Sequence, residues 1–358
     1  MSTSRGATAG VAAASAVAAT AAVSAAVSVA ATAAVSAAVS VARRHHTLSA
    51  VAPELRTPAL WLPRPITGKW SLSRARRRSR LATDPVAGVA ITRHDVPGGR
   101  DAFVYEPPGH RRPGGALLWI HGGGTILGHP ESDHELCSRI ARDLRIVVVS
   151  PRYRLAPEHP FPAGFDDCFA ALRWLHDAAP ALGGEGTRVA VGGASAGGGL
   201  AASVVQKAHD HGLPVAFQTL LYPMLDDRTA LVRDHRGRGR VGWTRRSNTY
   251  AWTCYLGRGP SVAESRPYAA AARREDLRGL PPAWIGVGDL DLFYAENLSY
   301  AERLRAAGVP VDLAVEPGMY HGADFDHHAT VPSMHAFRQG MLDALAAGLA
   351  LGPAAERS

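Results

Sequence analysis

The chain has 358 residues, 46% of them hydrophobic, a formal net charge of +8 and three cysteines. That apolar share is ample for a core, so a wholly disordered chain is excluded, and a single α/β domain can occupy 250 residues or more. Cys137, Cys168 and Cys254 form no CxxC pair and cannot all be paired, so nothing demands an oxidising compartment. Cys168 falls in an amphipathic helix pattern and reads as a buried thiol. The positive charge gathers in two runs, Arg74, Arg76, Arg77, Arg78 and Arg80, then Arg233, Arg236, Arg238, Arg240, Arg245 and Arg246. Aromatic interleaving is sparse and no nucleic-acid module is recognisable, so no nucleic-acid partner is expected. Both runs read as solvated surface, with weak attraction to anionic lipid or an anionic substrate as the alternative.

In chain order, residues 1–44 come first. Val11 to Ala42 is almost wholly Ala, Val, Ser and Thr, without charge, and the ten residues Ala21–Ala30 recur as Ala33–Ala42. The length suits a membrane span, but Ala, Ser and Thr supply little transfer energy, and the compact apolar centre of a signal peptide is missing. The segment reads as a low-complexity tail, disordered or loosely helical. A cytoplasmic protein without firm membrane association is expected, with export or weak anchoring through this tail as the alternative.

Residues 45–84 are rich in Pro and Arg and carry Trp61 and Trp70, which suggests short helices of an N-terminal cap. From 85 to 350 strands and helices alternate. Strands are expected near 87–96, 101–106, 116–121, 146–150, 188–193, 217–222, 283–287 and 311–315. Helices are expected near 131–143, 164–178, 197–211, 295–307 and 333–348, with Gly308 as a C-cap. Alternation means an α/β fold with a mostly parallel sheet and helices on both faces, and Pro97-Gly98-Gly99 marks an antiparallel start. Residues 224–270 break the pattern. They are Arg- and Gly-rich and hold Trp243, Tyr250, Trp252 and Tyr255, which reads as a second cap segment supplying aromatic pocket walls.

Gly193-Ala194-Ser195-Ala196-Gly197 lies between an expected buried strand and an expected helix. In that setting the glycines permit a turn too sharp for bulk on either side, which presents the serine hydroxyl above the sheet edge. The helix that begins there offers free N–H groups to developing negative charge. A serine hydroxyl needs a base, an orienter for the base and donors for the oxyanion. His121-Gly122-Gly123-Gly124 follows one strand and can aim backbone N–H groups at a ligand. Gly288-Asp289-Leu290-Asp291 follows another strand. Tyr320-His321-Gly322 follows the last by a short loop. The order serine, acid, histidine at the C-terminal ends of strands is that of α/β-hydrolase sites. Asp289, Asp291 and Glu296 are rival acids. His327, His328 and His335 compete with His321, which is favoured by its short loop and flanking Gly322.

Four segments together resemble the hormone-sensitive-lipase-like branch of the α/β-hydrolases in its bacterial esterase form: HGGG at His121–Gly124, YRLAPEHPFPA at Tyr153–Ala163, GGASAGGG at Gly192–Gly199, and GDLDLFYAEN through Asp291 with YHG at Tyr320–Gly322. The likeness covers roughly residues 85 to 350. It departs at Ala194, where many members carry an acidic residue, and at Leu292-Phe293, where Pro-Leu is more usual. The resemblance implies an α/β-hydrolase fold with a small helical cap. It makes Ser195 the nucleophile, His321 the general base and Asp291 the orienting acid, with the N–H groups of Gly122, Gly123 and Ala196 as the oxyanion hole. Asp289 is then a solvated loop carboxylate. His121 reads as a structural brace of the oxyanion loop, and Tyr153 and Glu158 as supports for that loop and the following turn. Asp324, Asp326, His327 and His328 have metal-ligating side chains, but adjacent residues rarely converge on one ion. No metal and no cofactor are therefore expected. The implied activity is that of a serine carboxylesterase cleaving small-molecule esters of short to medium chain length through an acyl-enzyme. A lactonase, amidase or deacetylase with the same triad is the enzymatic alternative. A non-catalytic binding homologue is disfavoured by the presence of His321. Homodimerisation is left open.

Overall fold

The apolar runs pair into one sheet because each is too short and too flat in its hydrophobicity to stand alone. The computed structural model describes residues 28–351 apart from 30, 63, 80, 81, 108, 110–113, 180 and 183. Its strands are β1 (Ala90–Asp95), β2 (Asp101–Glu106), β3 (Gly114–Ile120), β4 (Val147–Pro151), β5 (Gly184–Ala194), β6 (Phe217–Leu221), β7 (Ala283–Gly288) and β8 (Val311–Glu316). They lie in the order β1-β2-β4-β3-β5-β6-β7-β8. β1 and β2 pair antiparallel, as do β2 and β4, and every later pairing is parallel. The central strands β4, β6 and β7 are buried along their whole length, as parallel strands covered on both faces must be. The edge strand β1 is largely exposed.

Strand alternation divides the core. Leu118, Ile120, Val149, Val191, Leu220 and Ile285 face a cluster with Leu172 of α4 (Ala163–Ala178), Ala201 of α5 (Ala196–Asp210) and Leu304 of α7 (Tyr294–Ala306). α3 (His134–Leu144) and α9 (Pro332–Gly348) contact each other and strands of the sheet. Each helix lies within a residue or a few of its expected range, since apolar spacing sets the buried stripe.

The described residues up to Ala50 and those from Val51 onward form separate units. In the first, residues 31–49 form α1. Alanine is the best helix former, and Thr32 and Ser40 donate to the carbonyls four residues earlier, Ser28 and Ser36, at 2.8 Å each. The helix therefore runs past residue 44 into the stretch read as cap, with no proline to stop it before Pro53. The first copy of the ten-residue repeat lies mostly outside the described residues. Among the described residues no helix is long and apolar enough to cross a membrane.

Two further helices are α2 (Lys69–Arg78) and α6 (Arg245–Leu256); Ile66 N–H, in the segment before α2, donates to Ser247 Oγ of α6 at 3.0 Å. Thr244 caps α6 by accepting from Ser247 N–H, and Gly257 ends it in the left-handed conformation. The arginine runs are only partly solvated surface. Arg76 of α2 forks onto both oxygens of Glu158 at 2.8 Å and donates to the carbonyls of Ile126 and Ala156, clamping the loop after β3. Arg238 donates to the carbonyl of Asp289 and lies 4.2 Å from the Tyr294 ring centroid.

Candidate active site

β5 passes into α5 through Ser195, whose φ of 57° and ψ of −120° are strained for a side chain with a Cβ. The turn is over-determined. Ser195 N–H donates to Leu221 O at 2.8 Å, and Ser195 O accepts from Gly199 N–H at 3.0 Å and Met224 N–H at 2.9 Å. A Cβ at Gly197 would stand 2.0 Å from Ile120 O, so only glycine lets α5 start this close to β3. The hydroxyl does not sit at an open surface as the motif suggests. Ser195 is only 7% exposed. The loop into α6 brings Trp243 over the glycine loop and to 6.4 Å from the His321 ring, and this closes the site.

The histidine and the acid come from the next strand ends. His321 Nε2 lies 2.8 Å from Ser195 Oγ, and its Nδ1 lies 2.7 Å from Asp291 Oδ2. Asp291 is fully buried after β7, and its Oδ1 accepts from Phe293 N–H at 2.8 Å. One carboxylate oxygen is thus held by the backbone and the other by the imidazole. An Nδ1 proton on the carboxylate leaves Nε2 as an acceptor facing the hydroxyl, which is the arrangement that lets a serine lose its proton as it attacks a carbonyl.

The glycine loop follows β3. Gly122 lies against the Ala194–Ser195 peptide. Gly123 has a φ of 116°, and a Cβ there would stand 2.1 Å from Leu127 O. Its carbonyl accepts from Ile126 and Leu127 N–H groups, closing the loop on itself. Ala196 opens α5, where the first-turn N–H groups have no partner within the helix. His121 braces this loop: its Nδ1 is 2.8 Å from Gly122 O, its ring stacks on Tyr153 at 4.3 Å, and Tyr153 Oη donates to His121 O at 3.0 Å. Burial holds the His121 imidazole down at about 4, so it is neutral at pH 7. Its depressed folded value gives stability that is present above the unfolded value of roughly 6.5 and is lost as pH falls toward 4. His121→Asn is expected to flatten that acidic slope of melting temperature against pH; an unchanged slope would show that His121 does not carry it.

The rival residues have other work. Asp289 is half-buried, not a solvated loop carboxylate, and its Oδ1 accepts from Gly318 N–H at 2.7 Å. This ties the β7 loop to the β8 loop. Glu296 is buried and accepts from the N–H groups of Leu225 and Asp226 and from Thr229 Oγ1. Burial pushes its carboxyl well above the usual range. His328 pairs with Glu135, and Asp324 is engaged by Tyr222 and Arg338. Among the described residues no group of three or more His, Cys, Asp or Glu side chains is placed to hold a metal. Sequence reasoning does not find Tyr222 or Phe293, whose rings lie 4.8 Å and 5.1 Å from that of His321. Tyr222 gives no motif signal; its position directly after β6, beside the elbow, is the one clue.

The alpha/beta hydrolase fold family matches residues 117–325 of the chain. The chain is similar to the carboxylesterase NlhH of Mycobacterium tuberculosis, 39% identical over 224 residues that cover 61% of this chain and 69% of that protein. It is also similar to an ethyl acetate hydrolase of Pseudomonas putida, 34% identical over 224 residues with coverage of 61% and 69%. Its structure is similar to that of a bacterial heroin esterase, with a TM-score of 0.77 and 37% identity over 85% of this chain and 99% of the other. Sheet order, motif-bearing turns and relatives agree, and the chain belongs to the α/β-hydrolase family and, within it, to the hormone-sensitive-lipase-like esterases.

Proposed function

We propose that this carboxylesterase cleaves small-molecule esters with short to medium acyl chains, using Ser195 as nucleophile, His321 as general base and Asp291 as the acid that orients it. Ser195 Oγ attacks the ester carbonyl as its proton passes to His321 Nε2. The N–H groups of Gly122, Gly123 and Ala196 take the oxyanion charge. The tetrahedral intermediate collapses, the alcohol leaves with the proton from His321, and water then releases the acid by the same route in reverse. The observation that carries this reading is the unbroken line from Asp291 through both nitrogens of His321 to Ser195, at 2.7 Å and 2.8 Å. Labelling of the purified enzyme by a fluorophosphonate tests it; an enzyme that hydrolyses p-nitrophenyl butyrate yet resists the probe would refute a serine nucleophile. The three buried free cysteines suit a reducing, cytoplasmic setting.

The residues around the site limit the length of the acyl chain. Beside Ala196 lies a narrow void of about 10 Å³, lined by Thr125, Leu200, Ser203, Met224, Trp252 and Tyr255 among others, so room for an acyl chain there is tight. Each methylene buried adds roughly 0.8 kcal/mol, about fourfold, only while room remains. Across a series of p-nitrophenyl esters, kcat/KM is expected to rise over the first few carbons and then fall. Met224→Ala is expected to move the optimum to longer chains. A steady rise to long-chain triglycerides with activation at an oil–water interface would make the protein a lipase instead.

A further inference from the structure

We propose that Tyr222 is a positioning residue for His321, its ring held in place by a hydroxyl tether to the buried Asp324–Arg338 ion pair. The inference rests on the reading of His321 as the general base. Three rings surround the imidazole: Tyr222 at 4.8 Å and 66°, Phe293 edge-on at 5.1 Å and 86°, and Trp243 farther off at 6.4 Å. Phe293 comes from the acid's own loop. Tyr222 comes from the end of β6, one residue after Leu221, whose carbonyl accepts from Ser195 N–H. Its backbone has a φ of 34° and donates to Gly286 O at 2.6 Å. A non-glycine residue in that region costs on the order of 1–3 kcal/mol and persists only where its surroundings hold it.

What holds it is unusual chemistry for a core. Tyr222 Oη donates to Asp324 Oδ1 at 2.7 Å, and Arg338 Nε of α9 donates to Asp324 Oδ2 at 2.8 Å. Asp324 is 0% exposed. Taking a carboxylate and a guanidinium out of water is costly, and an apolar pair of similar volume would fill the space as stably. What an apolar pair cannot do is accept the phenol. Asp324 lies on α8 (Ala323–His327), three residues after His321, so one carboxylate joins the histidine's loop, the end of β6 and α9. Burial keeps the Tyr222 phenol well above its usual range, so the hydroxyl remains a donor. With the ring fixed, the imidazole has one seat, between Asp291 and Ser195. With the ring free to move, the imidazole can swing away from Ser195 without altering where substrate binds.

Tyr222→Phe keeps the ring and removes the tether. It is expected to lower kcat about tenfold and to slow fluorophosphonate labelling in parallel, with KM near that of the parent enzyme, because a displaced catalytic group costs rate and not uniform binding. Tyr222→Leu removes the ring and should cost about 100-fold in kcat. Asp324→Asn leaves one amide oxygen for two donors, Tyr222 Oη–H and Arg338 Nε–H, so the phenol loses its acceptor and kcat should fall about as far as in Tyr222→Phe. A Tyr222→Phe enzyme with parental kcat and only a lower melting temperature would overturn the proposal, as would a raised KM at unchanged kcat. If Ser195→Ala is inactive and Tyr222→Phe is fully active, only this inference fails. If Ser195→Ala itself retains turnover, the reading of the triad fails first and the inference falls with it.

Discussion

Ser195→Ala is expected to reduce ester hydrolysis by roughly 10⁶ in kcat, to the background left by binding and the oxyanion donors alone. Among the described residues the only side-chain partner of Ser195 Oγ is His321 Nε2 at 2.8 Å, so no other hydrogen bond there is lost with the oxygen. The strained turn is held by backbone hydrogen bonds that alanine keeps, from Ser195 N–H to Leu221 O and from Gly199 and Met224 N–H to the carbonyl of residue 195. Because the serine is nearly buried, the imidazole loses a partner that water replaces poorly, and a cost of about 1–2 kcal/mol in stability is expected. A purified, folded variant that still turns over ester well above background would remove Ser195 from the mechanism.

The second large effect is expected at Asp291. Asp291→Asn should lower kcat by a factor on the order of 10⁴. The reason lies in which oxygen is already taken. Oδ1 accepts from Phe293 N–H, and an asparagine placed there would keep its carbonyl on that donor. Its NH₂ group would then face His321 Nδ1 and require Nδ1 to accept. The proton would move to Nε2, where it faces the serine and blocks the imidazole from acting as a base. Asp289→Asn keeps the carbonyl that accepts from Gly318 N–H and should have a far smaller effect. Measured side by side, a larger loss at Asp289 than at Asp291 would reverse the assignment of the acid.

Much of this was readable before any tertiary contact. The eight strands expected from apolar runs are the eight strands of the sheet, and the five helices expected in the core are α3, α4, α5, α7 and α9. Those elements are self-announcing, because a strand buried on both faces must be apolar throughout and a helix packed on a sheet must repeat its apolar residues every three to four positions. Ser195, Asp291 and His321 carry motif signals, since each stands in a turn with its own glycine or acidic pattern. The cap is less legible. Short helices are expected in 45–84, but nothing local marks their bounds, since α2 buries only Leu72 and is held by Arg76 on Glu158; in 224–270 the aromatic residues are the signal, and α6 is tied by Ser247 to Ile66.

By itself, then, the sequence determined the alternation of strands and helices, the sharp turn at Ser195 and the order of serine, acid and histidine along the chain. These depend on residue types within a few positions of one another. The tertiary structure alone decided that Asp289 braces a loop, that the serine is covered, and that Tyr222 reaches Asp324. Ser195 and His321 are separated by 126 residues, and Tyr222 and Asp324 by 102. Contacts over such distances are made by strand order and register, which bring four strand ends to one edge of the sheet. No local pattern of residue types carries that information, because the same carboxylate or phenol is equally at home in a loop, a core or a catalytic line until its neighbours are known.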